Sequence, residues 1–198
     1  IFDVTILNLY DKIKRENYVP SAYKKLAFTD VQIPLMNEQY MLAPKQEAKV
    51  LQSLKLKSSD LVLHVGTGSG FFAAMLASLS KHVVTMDVFD EFLIEAKLIH
   101  QQDNLYNLTY INDDGIFGHL ESAPYDVIVF TGGFQQEPVG LREQLNIGGK
   151  LFLFEGNKTL MKANLIEKVG SNEYEVKSIF EDVVPLLVSK SKSSKFVF

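Results

Sequence analysis

Short apolar runs alternate with amphipathic stretches through the middle of the chain. Runs rich in β-branched residues predict strands over Leu61–Val65, His82–Asp87, Leu108–Asn112, Tyr125–Phe130 and Lys150–Glu155. Between them, apolar residues at helical spacing predict helices over Phe71–Leu79, Glu91–Gln101 and Pro138–Leu145. Strands that alternate with helices are typical of a parallel sheet with crossover connections. The pattern therefore predicts an α/β fold whose mostly parallel sheet is covered by helices on both faces.

The two ends of the chain have a different pattern of polar and apolar residues. Helical spacing predicts a helix around residues 6–13, and prolines begin short predicted helices over Pro20–Leu26 and Pro44–Leu56. After Gly156 polar and apolar residues alternate, which predicts antiparallel strands that close the sheet. We expect one domain over residues 1–198, with a helical cap and substrate-side segment at 1–58, a ligand-binding core at 59–156 and antiparallel strands at 157–198.

Composition narrows the possible chemistry. The chain has 198 residues, a formal net charge of −4 and no cysteine, which excludes disulfides, thiolate nucleophiles and cysteine-based metal sites. The four histidines are too dispersed for a metal site, so we expect no metal. A mild acidic excess argues against nucleic acid or an anionic membrane as partner. Charged residues interrupt every apolar run near the front, so we expect no signal peptide there and a cytoplasmic location.

Three alternating glycines, Gly66, Gly68 and Gly70, give the strongest chemical signal. They lie between the first predicted strand of the core and its helix, where glycine lets the backbone turn sharply and approach a ligand. The dinucleotide fingerprint G-x-G-x-x-G fails because its last position is Phe71, which disfavours a nucleotide-dependent oxidoreductase. The spacing G-x-G-x-G is typical of Rossmann-like methyltransferases that use S-adenosylmethionine (SAM). A tight turn without a ligand is the structural alternative.

Acidic residues follow the next two predicted strands. Asp87 ends its strand and is placed to accept hydrogen bonds from both hydroxyls of a ribose. Asp113 and Asp114 follow the next strand, where one carboxylate can accept from an adenine amino group. The alternatives are a helix cap at Asp87, a role that Asp90 can also fill, and an ordinary turn at the Asp pair. Taken together, three successive strand ends predict one adenosine-containing ligand.

Several segments, in order along the chain, resemble protein-L-isoaspartate O-methyltransferases. They are Tyr18–Pro20, Ala27–Asp30, Ile33–Leu35, Val62–Phe71, Asn112–Gly118, Ala123–Thr131, Gln144–Leu153 and Val183–Leu186. The resemblance implies a class I SAM-dependent methyltransferase that leaves S-adenosylhomocysteine (SAH) as product. It also implies that the partner is a protein or peptide containing isoaspartyl residues, whose free carboxylate is methylated in the repair of damaged proteins. The oligomeric state stays open.

The resemblance also implies a set of site residues. The cofactor would contact Gly66, Thr67, Gly68, Ser69, Gly70, Asp87, Val88, Asp114 and Gly115, with Thr131 and Gly132 under the transferred methyl group. A carboxylate acceptor is already ionised at pH 7, so this chemistry requires no general base.

The chain departs from the family pattern near the expected transfer site. Aligned on Pro44, Leu42 stands where the family has a serine, and Tyr40 is either a replacement hydroxyl donor or a core aromatic. His64 replaces the usual acidic residue of the glycine strand, and either binds the carboxylate of the cofactor or merely fills the strand end. Two alternatives follow from these departures, namely a SAM-dependent methyltransferase with another acceptor and a non-catalytic SAM-binding protein.

Overall fold

The computed structural model describes residues 3–190. The α-helices of these residues are α1 (Val4–Lys12), α2 (Pro44–Leu54), α3 (Phe71–Leu79) and α4 (Asp90–Gln102). The strands are β1 (Ile33–Pro34), β2 (Tyr40–Met41), β3 (Leu61–Val65), β4 (His82–Asp87), β5 (Leu108–Asn112), β6 (Tyr125–Phe134), β7 (Leu145–Asn157), β8 (Leu160–Lys168) and β9 (Tyr174–Asp182). Residues 191–198, which belong to the predicted C-terminal strand segment, lie outside the described residues.

A seven-stranded sheet runs through the centre in the order β5-β4-β3-β6-β7-β8-β9. Strands β3 to β7 are parallel, and β8 and β9 continue the sheet by antiparallel pairing. The predicted mostly parallel sheet with antiparallel strands at its C-terminal end is therefore confirmed. The chain moves outward from β3 to β5 and then returns to β6 on the other side of β3. Ligands of such sheets bind in the crevice at the carboxyl ends of the strands where this reversal occurs.

One face of the sheet packs against the helices. Val62, Val83 and Val127 point to this face and share a buried cluster with Phe71 and Met75 of α3. Helices α1 and α2 contribute Ile6, Leu9, Leu51 and Leu54 to the same cluster. The apolar runs of β3 and α3 thus form a strand and a buried helix, as their sequence predicts.

Within residues 3–190, the second face is covered by short 3-10 turns and extended segments in place of the α-helices predicted for it. Leu63, Val84 and Ile128 form its floor, with Leu141 and Leu187 packed on them. The prediction of a helix over Pro138–Leu145 is wrong, because only Arg142–Gln144 forms a 3-10 turn and β7 already begins at Leu145.

The connection before β7 has a local reason for not being helical. Gly140 has a φ of +85°, a left-handed conformation that interrupts a helix. The Gln144 side chain donates to the carbonyls of Phe117 (2.7 Å) and Gly140 (3.2 Å) and accepts the His119 amide (2.9 Å). These bonds hold the connection as a tight loop against the neighbouring turn.

The N-terminal segment combines helices with a short hairpin. Helix α1 is followed by 3-10 turns at Arg15–Asn17 and Ser21–Leu26 and by the hairpin in which Ile33 pairs with Met41. Helix α2 ends at Leu54, two residues earlier than predicted, because Lys55 adopts a left-handed conformation. None of the helices within residues 3–190 has the length and apolar character needed to cross a membrane.

Candidate active site

The glycine loop between β3 and α3 is anchored on the neighbouring strand. The amides of Gly66 and Thr67 both donate to the carbonyl of Met86, at 2.9 and 3.2 Å. Gly66 has a φ of +97°, and a Cβ atom added to it would lie 2.7 Å from Oγ1 of Thr131. The turn therefore requires glycine, both for its conformation and for its close approach to the end of β6.

Gly70 ends the loop at the start of α3 and packs on α4. It has a φ of +83°, and an added Cβ atom would lie 2.6 Å from Cβ of Ala96. Its carbonyl lies 2.8 Å from Nε2 of His100, a fully buried side chain whose Nδ1 lies 2.8 Å from the Tyr110 hydroxyl. Gly70 thus joins the two helices rather than facing the crevice.

Asp87 connects the end of β4 to the glycine loop. Its Oδ2 accepts the Gly68 amide at 3.0 Å, and its Oδ1 accepts the Phe89 amide at 3.1 Å. The side chain is buried, and this burial raises the pKa of Asp87, while the backbone amides oppose the shift by stabilising the carboxylate. The Asp87 carboxylate therefore holds the glycine loop to the end of β4, and it lines the crevice.

Asp113 and Asp114, the acidic pair after β5, have different surroundings. Asp114 accepts the Ile116 amide at 3.2 Å through Oδ1, and its Oδ2 accepts the Ser189 hydroxyl at 2.6 Å and the Lys190 amide at 2.9 Å. Asp113 is exposed and lines the crevice beside Asp87. Asp114 therefore ties the end of the described chain to this edge of the sheet.

A chain of polar side chains lies beneath the glycine loop. His64 is fully buried, with Nδ1 3.0 Å from Oγ1 of Thr85 and Nε2 3.3 Å from Oγ1 of Thr131. Thr85 also lies 2.7 Å from the Thr67 hydroxyl, and Thr131 donates to the Gly66 carbonyl at 2.8 Å. Burial lowers the pKa of His64 to about 3, so the imidazole is neutral at pH 7. His64 does not line the crevice itself but contacts Thr131, which does.

The hairpin strand β2 lies across the loop from Thr131. Tyr40 is 47% exposed, so the alternative of a core aromatic is wrong. Leu42 is buried in the helix-side core cluster and lines a narrow hollow together with Thr131 and the glycine loop. The position of the family serine is thus an apolar wall beside a half-exposed phenol.

Three adjoining hollows, which we call the rim hollows, share Gly66 along this edge of the sheet. Most of the residues predicted from the sequence line them: Tyr40, Leu42, Gly66, Thr67, Gly68, Ser69, Asp87, Val88, Gly115, Thr131 and Gly132. His64, Gly70 and Asp114 support the edge from behind it instead. Leu35, Gln39 and Leu187 also line the rim hollows but were not predicted as site residues. Leu35 ends one of the quoted family segments, Leu187 follows another, and Gln39 precedes Tyr40, and these positions are the signal that points to them.

The rim hollows are narrow. Their volumes are about 30, 30 and 40 Å³, each little more than the space of one water molecule. Leu35 and Gln39 close them from the hairpin side, and Leu187 closes them from the C-terminal side. Each of these hollows is therefore smaller than a ligand of the size of SAM. Within residues 3–190, no three His, Asp or Glu side chains form a group able to hold a metal ion.

Comparison with known proteins agrees with this architecture. The chain is 32% identical over 196 residues to a protein-L-isoaspartate O-methyltransferase of Ruegeria pomeroyi, covering 97% of this chain and 90% of that protein. It is 34% identical over 149 residues to the enzyme of the same name from Roseobacter denitrificans, covering 75% of this chain and 70% of the relative.

Solved structures show the same fold. A protein-L-isoaspartate O-methyltransferase superposes with a TM-score of 0.81 at 22% identity, over 95% of this chain and 62% of that one. An enzyme of this kind from Plasmodium falciparum, solved with SAH, gives 0.80 at 17% identity, over 95% of this chain and 92% of that one. The profile of the protein-L-isoaspartate(D-aspartate) O-methyltransferase family matches residues 1–191. The chain belongs to this family of SAM-dependent methyltransferases.

Proposed function

We propose that this protein transfers the methyl group of SAM to the free carboxylate of isoaspartyl residues in proteins and peptides. One observation carries the proposal: the hairpin residues Tyr40 and Leu42 meet Thr131 and the glycine loop at a single hollow. The hollow adjoins the crevice of Asp87, so a donor and an acceptor can meet there. Family membership supplies the reaction class, and the proposal extends it to the acceptor.

The side chains at the crevice fit an adenosyl ligand. Asp87 accepts the Gly68 and Phe89 amides and lines the crevice, where its carboxylate can also accept from a ribose hydroxyl. At Gly115 an added Cβ atom would lie 2.7 Å from Val65, so the turn after β5 packs closely on the end of β3 where it lines the crevice. Bound SAM supplies an activated methyl group on a sulfonium sulfur.

We assign roles to the remaining residues on this basis. Residues 66–69 and Val88 would contact the donor, Gly115 would lie against its adenine, and Asp113, the member of the acidic pair that lines the crevice, would accept from the adenine amino group. Thr131 and Gly132 would lie beneath the transferred methyl group. Two residues act indirectly: His64 holds the Thr131 hydroxyl, and Gly70 fixes the loop on α4.

The acceptor side combines a donor with an apolar wall. The Tyr40 hydroxyl is placed to donate to an acceptor carboxylate, a role that a phenol performs well. Leu42 excludes water from the same hollow, and desolvation of an ionised carboxylate favours its attack on a positively charged donor. Positioning and desolvation therefore take the place of general base catalysis.

The leucine at the position of the family serine favours one second candidate, a SAM-dependent methyltransferase that acts on another carboxylate. Transfer of labelled methyl from SAM to an isoaspartyl peptide tests the first proposal, with SAH binding measured by calorimetry on the same preparation. A panel of small carboxylic acids tests the second candidate. SAH binding without transfer to any acceptor would contradict both proposals.

We also propose a location, a set of partners and a domain organisation for the protein. We propose a cytoplasmic enzyme without a nucleic-acid or membrane partner, and the mild acidity of the chain supports the absence of such partners. We further propose that residues 1–198 form one methyltransferase domain. The continuous cluster that joins α1 and α2 to β3 supports this organisation.

A further inference from the structure

A buried ion pair lies directly behind the acceptor side of the candidate site. Arg15 and Glu47 are 0% and 1% exposed. The guanidinium donates through Nε to Oε2 and through Nη2 to Oε1 of Glu47, both at 3.1 Å. The Tyr10 hydroxyl donates to the same carboxylate at 3.2 Å. We call Tyr10, Arg15 and Glu47 the Arg15 cluster.

The cluster binds the backbone on both sides of the hairpin. Arg15 Nη2 donates to the Leu42 carbonyl at 2.7 Å, and Nη1 donates to the Ala27 carbonyl. Tyr10 donates to the Pro44 carbonyl at 2.8 Å. The guanidinium carbon also lies 5.4 Å from the ring centre of Phe71, the first residue of α3. Arg15 therefore links the segment that carries Leu42 to the helix that follows the glycine loop.

We propose that the Arg15 cluster is a positioning device that fixes residues 40–43 against the glycine loop, and so sets the geometry of the acceptor side. The inference rests on the proposed function. Arg15 acts through the Leu42 backbone, so it is a positioning residue. Glu47 shares the hollow of Leu42 and Thr131, which places the cluster in the wall of the site.

The chemistry of the cluster fits positioning better than stabilisation. A buried ion pair gains little net stability over an apolar pair of the same volume, because both charges lose their hydration. Burial raises the pKa of Glu47, and the Arg15 guanidinium opposes that shift. What the pair adds is directional bonding, because a planar guanidinium with five donors fixes three partners at once.

Arg15→Lys tests the proposal because an ammonium keeps the charge and loses the fork of donors. Arg142→Lys is the matched control: Arg142 makes a bidentate pair with Glu137, at 2.7 and 2.6 Å, on the other face of the sheet. For Arg15→Lys we expect kcat/KM for an isoaspartyl peptide to fall roughly tenfold, the loss expected for one hydrogen bond to a charged group. We expect SAH affinity to stay within about threefold of the unchanged protein, since the glycine loop and Asp87 are untouched.

Amide hydrogen exchange gives a readout that does not depend on the acceptor. We expect faster exchange at residues 40–43 in Arg15→Lys and unchanged exchange there in Arg142→Lys. Tyr10→Phe, a milder change, should accelerate the same amides if Arg15→Lys does not fold. Exchange at 40–43 that is unchanged, or accelerated no more than in β3 and α3, would overturn the proposal. If the unchanged protein itself fails to methylate the peptide, the proposed function fails, and hydrogen exchange still decides the role of the cluster.

Discussion

The carboxylate of Asp87 accepts the amide of Gly68 at 3.0 Å, and this bond joins the end of β4 to the middle of the glycine loop. The same side chain also accepts the Phe89 amide, so its burial is compensated by backbone donors. One residue thus organises the loop from the wall of the crevice, where we propose that it binds the ribose. Its substitution should affect both ligand binding and stability.

For Asp87→Asn we expect SAH affinity to fall by roughly 10- to 100-fold, since a hydrogen bond to a charged group contributes about 1.5–3 kcal/mol. The amide side chain keeps an oxygen for Gly68 but turns its NH2 group toward the Phe89 amide, so we also expect the free energy of unfolding to fall by about 1–3 kcal/mol. Calorimetry with SAH measures the change, and Asp90→Asn, at the exposed start of α4, is the control. Equal affinities for Asp87→Asn and the unchanged protein would contradict the ribose assignment.

Gly70 and Gly148 offer a matched test of packing beneath the loop. Both have a φ of +83°, but an added Cβ atom meets Ala96 at 2.6 Å in the first and nothing within 4 Å in the second. Alanine should cost about 1–2 kcal/mol at either position for its left-handed conformation. At Gly70 overpacking should add about 1–3 kcal/mol. Urea unfolding measures both free energies, and equal losses would show that Gly70 is not packed tightly on α4.

Stability should fall in mild acid because of His64. Its pKa is lowered from 6.5 to about 3 in the folded protein, so between these values the unfolded chain binds the additional proton. The stabilising contribution is complete above about pH 6.5, and about 1 kcal/mol should be lost by about pH 5.5. Burial also lowers the pKa of His100, which adds to the slope. His64→Gln should flatten the dependence of unfolding free energy on pH, and an unchanged slope in this variant would contradict the contribution of His64.

Leu42→Ser restores a hydroxyl at the expected transfer site. We expect isoaspartyl turnover per folded molecule to be about tenfold higher in Leu42→Ser than in Leu42→Ala, the effect of one additional hydrogen bond to a charged group. Stability should fall by about 2–5 kcal/mol, because a buried leucine is truncated. Leu42→Ala separates the two effects, since it removes the same bulk without adding a donor. Equal rates in the serine and alanine variants would show that this position does not contact the acceptor.

The core of the fold could be predicted from the sequence because its signals are local. β3, β4, β5 and α3 have their predicted bounds, since each apolar run is bracketed by turns or polar residues. A helix over residues 138–145 is predicted because their apolar residues have helical spacing, but no α-helix forms there. The left-handed Gly140 and the long-range bonds of Gln144 decide that connection, and neither is visible in a local pattern.

The candidate site was predictable on the cofactor side and less so on the acceptor side. The glycines and Asp87 follow strands whose carboxyl ends must meet in a parallel sheet, so their convergence follows from chain order. Leu187 reaches the glycine loop through the pairing of residues 185–187 with Gly133, a contact that depends on the folded C-terminal segment. The burial of His64 between Thr85 and Thr131 likewise depends on two neighbouring strands.

The most direct measurement is a competition between two peptides that differ at one residue, isoaspartate in one and normal aspartate in the other. Both are mixed with the enzyme and SAM, and mass spectrometry follows which peptide gains a methyl group. The proposed function predicts methylation of the isoaspartyl peptide and none of its normal counterpart. Equal methylation of the two peptides, or methylation of neither by a preparation that binds SAH, would contradict it.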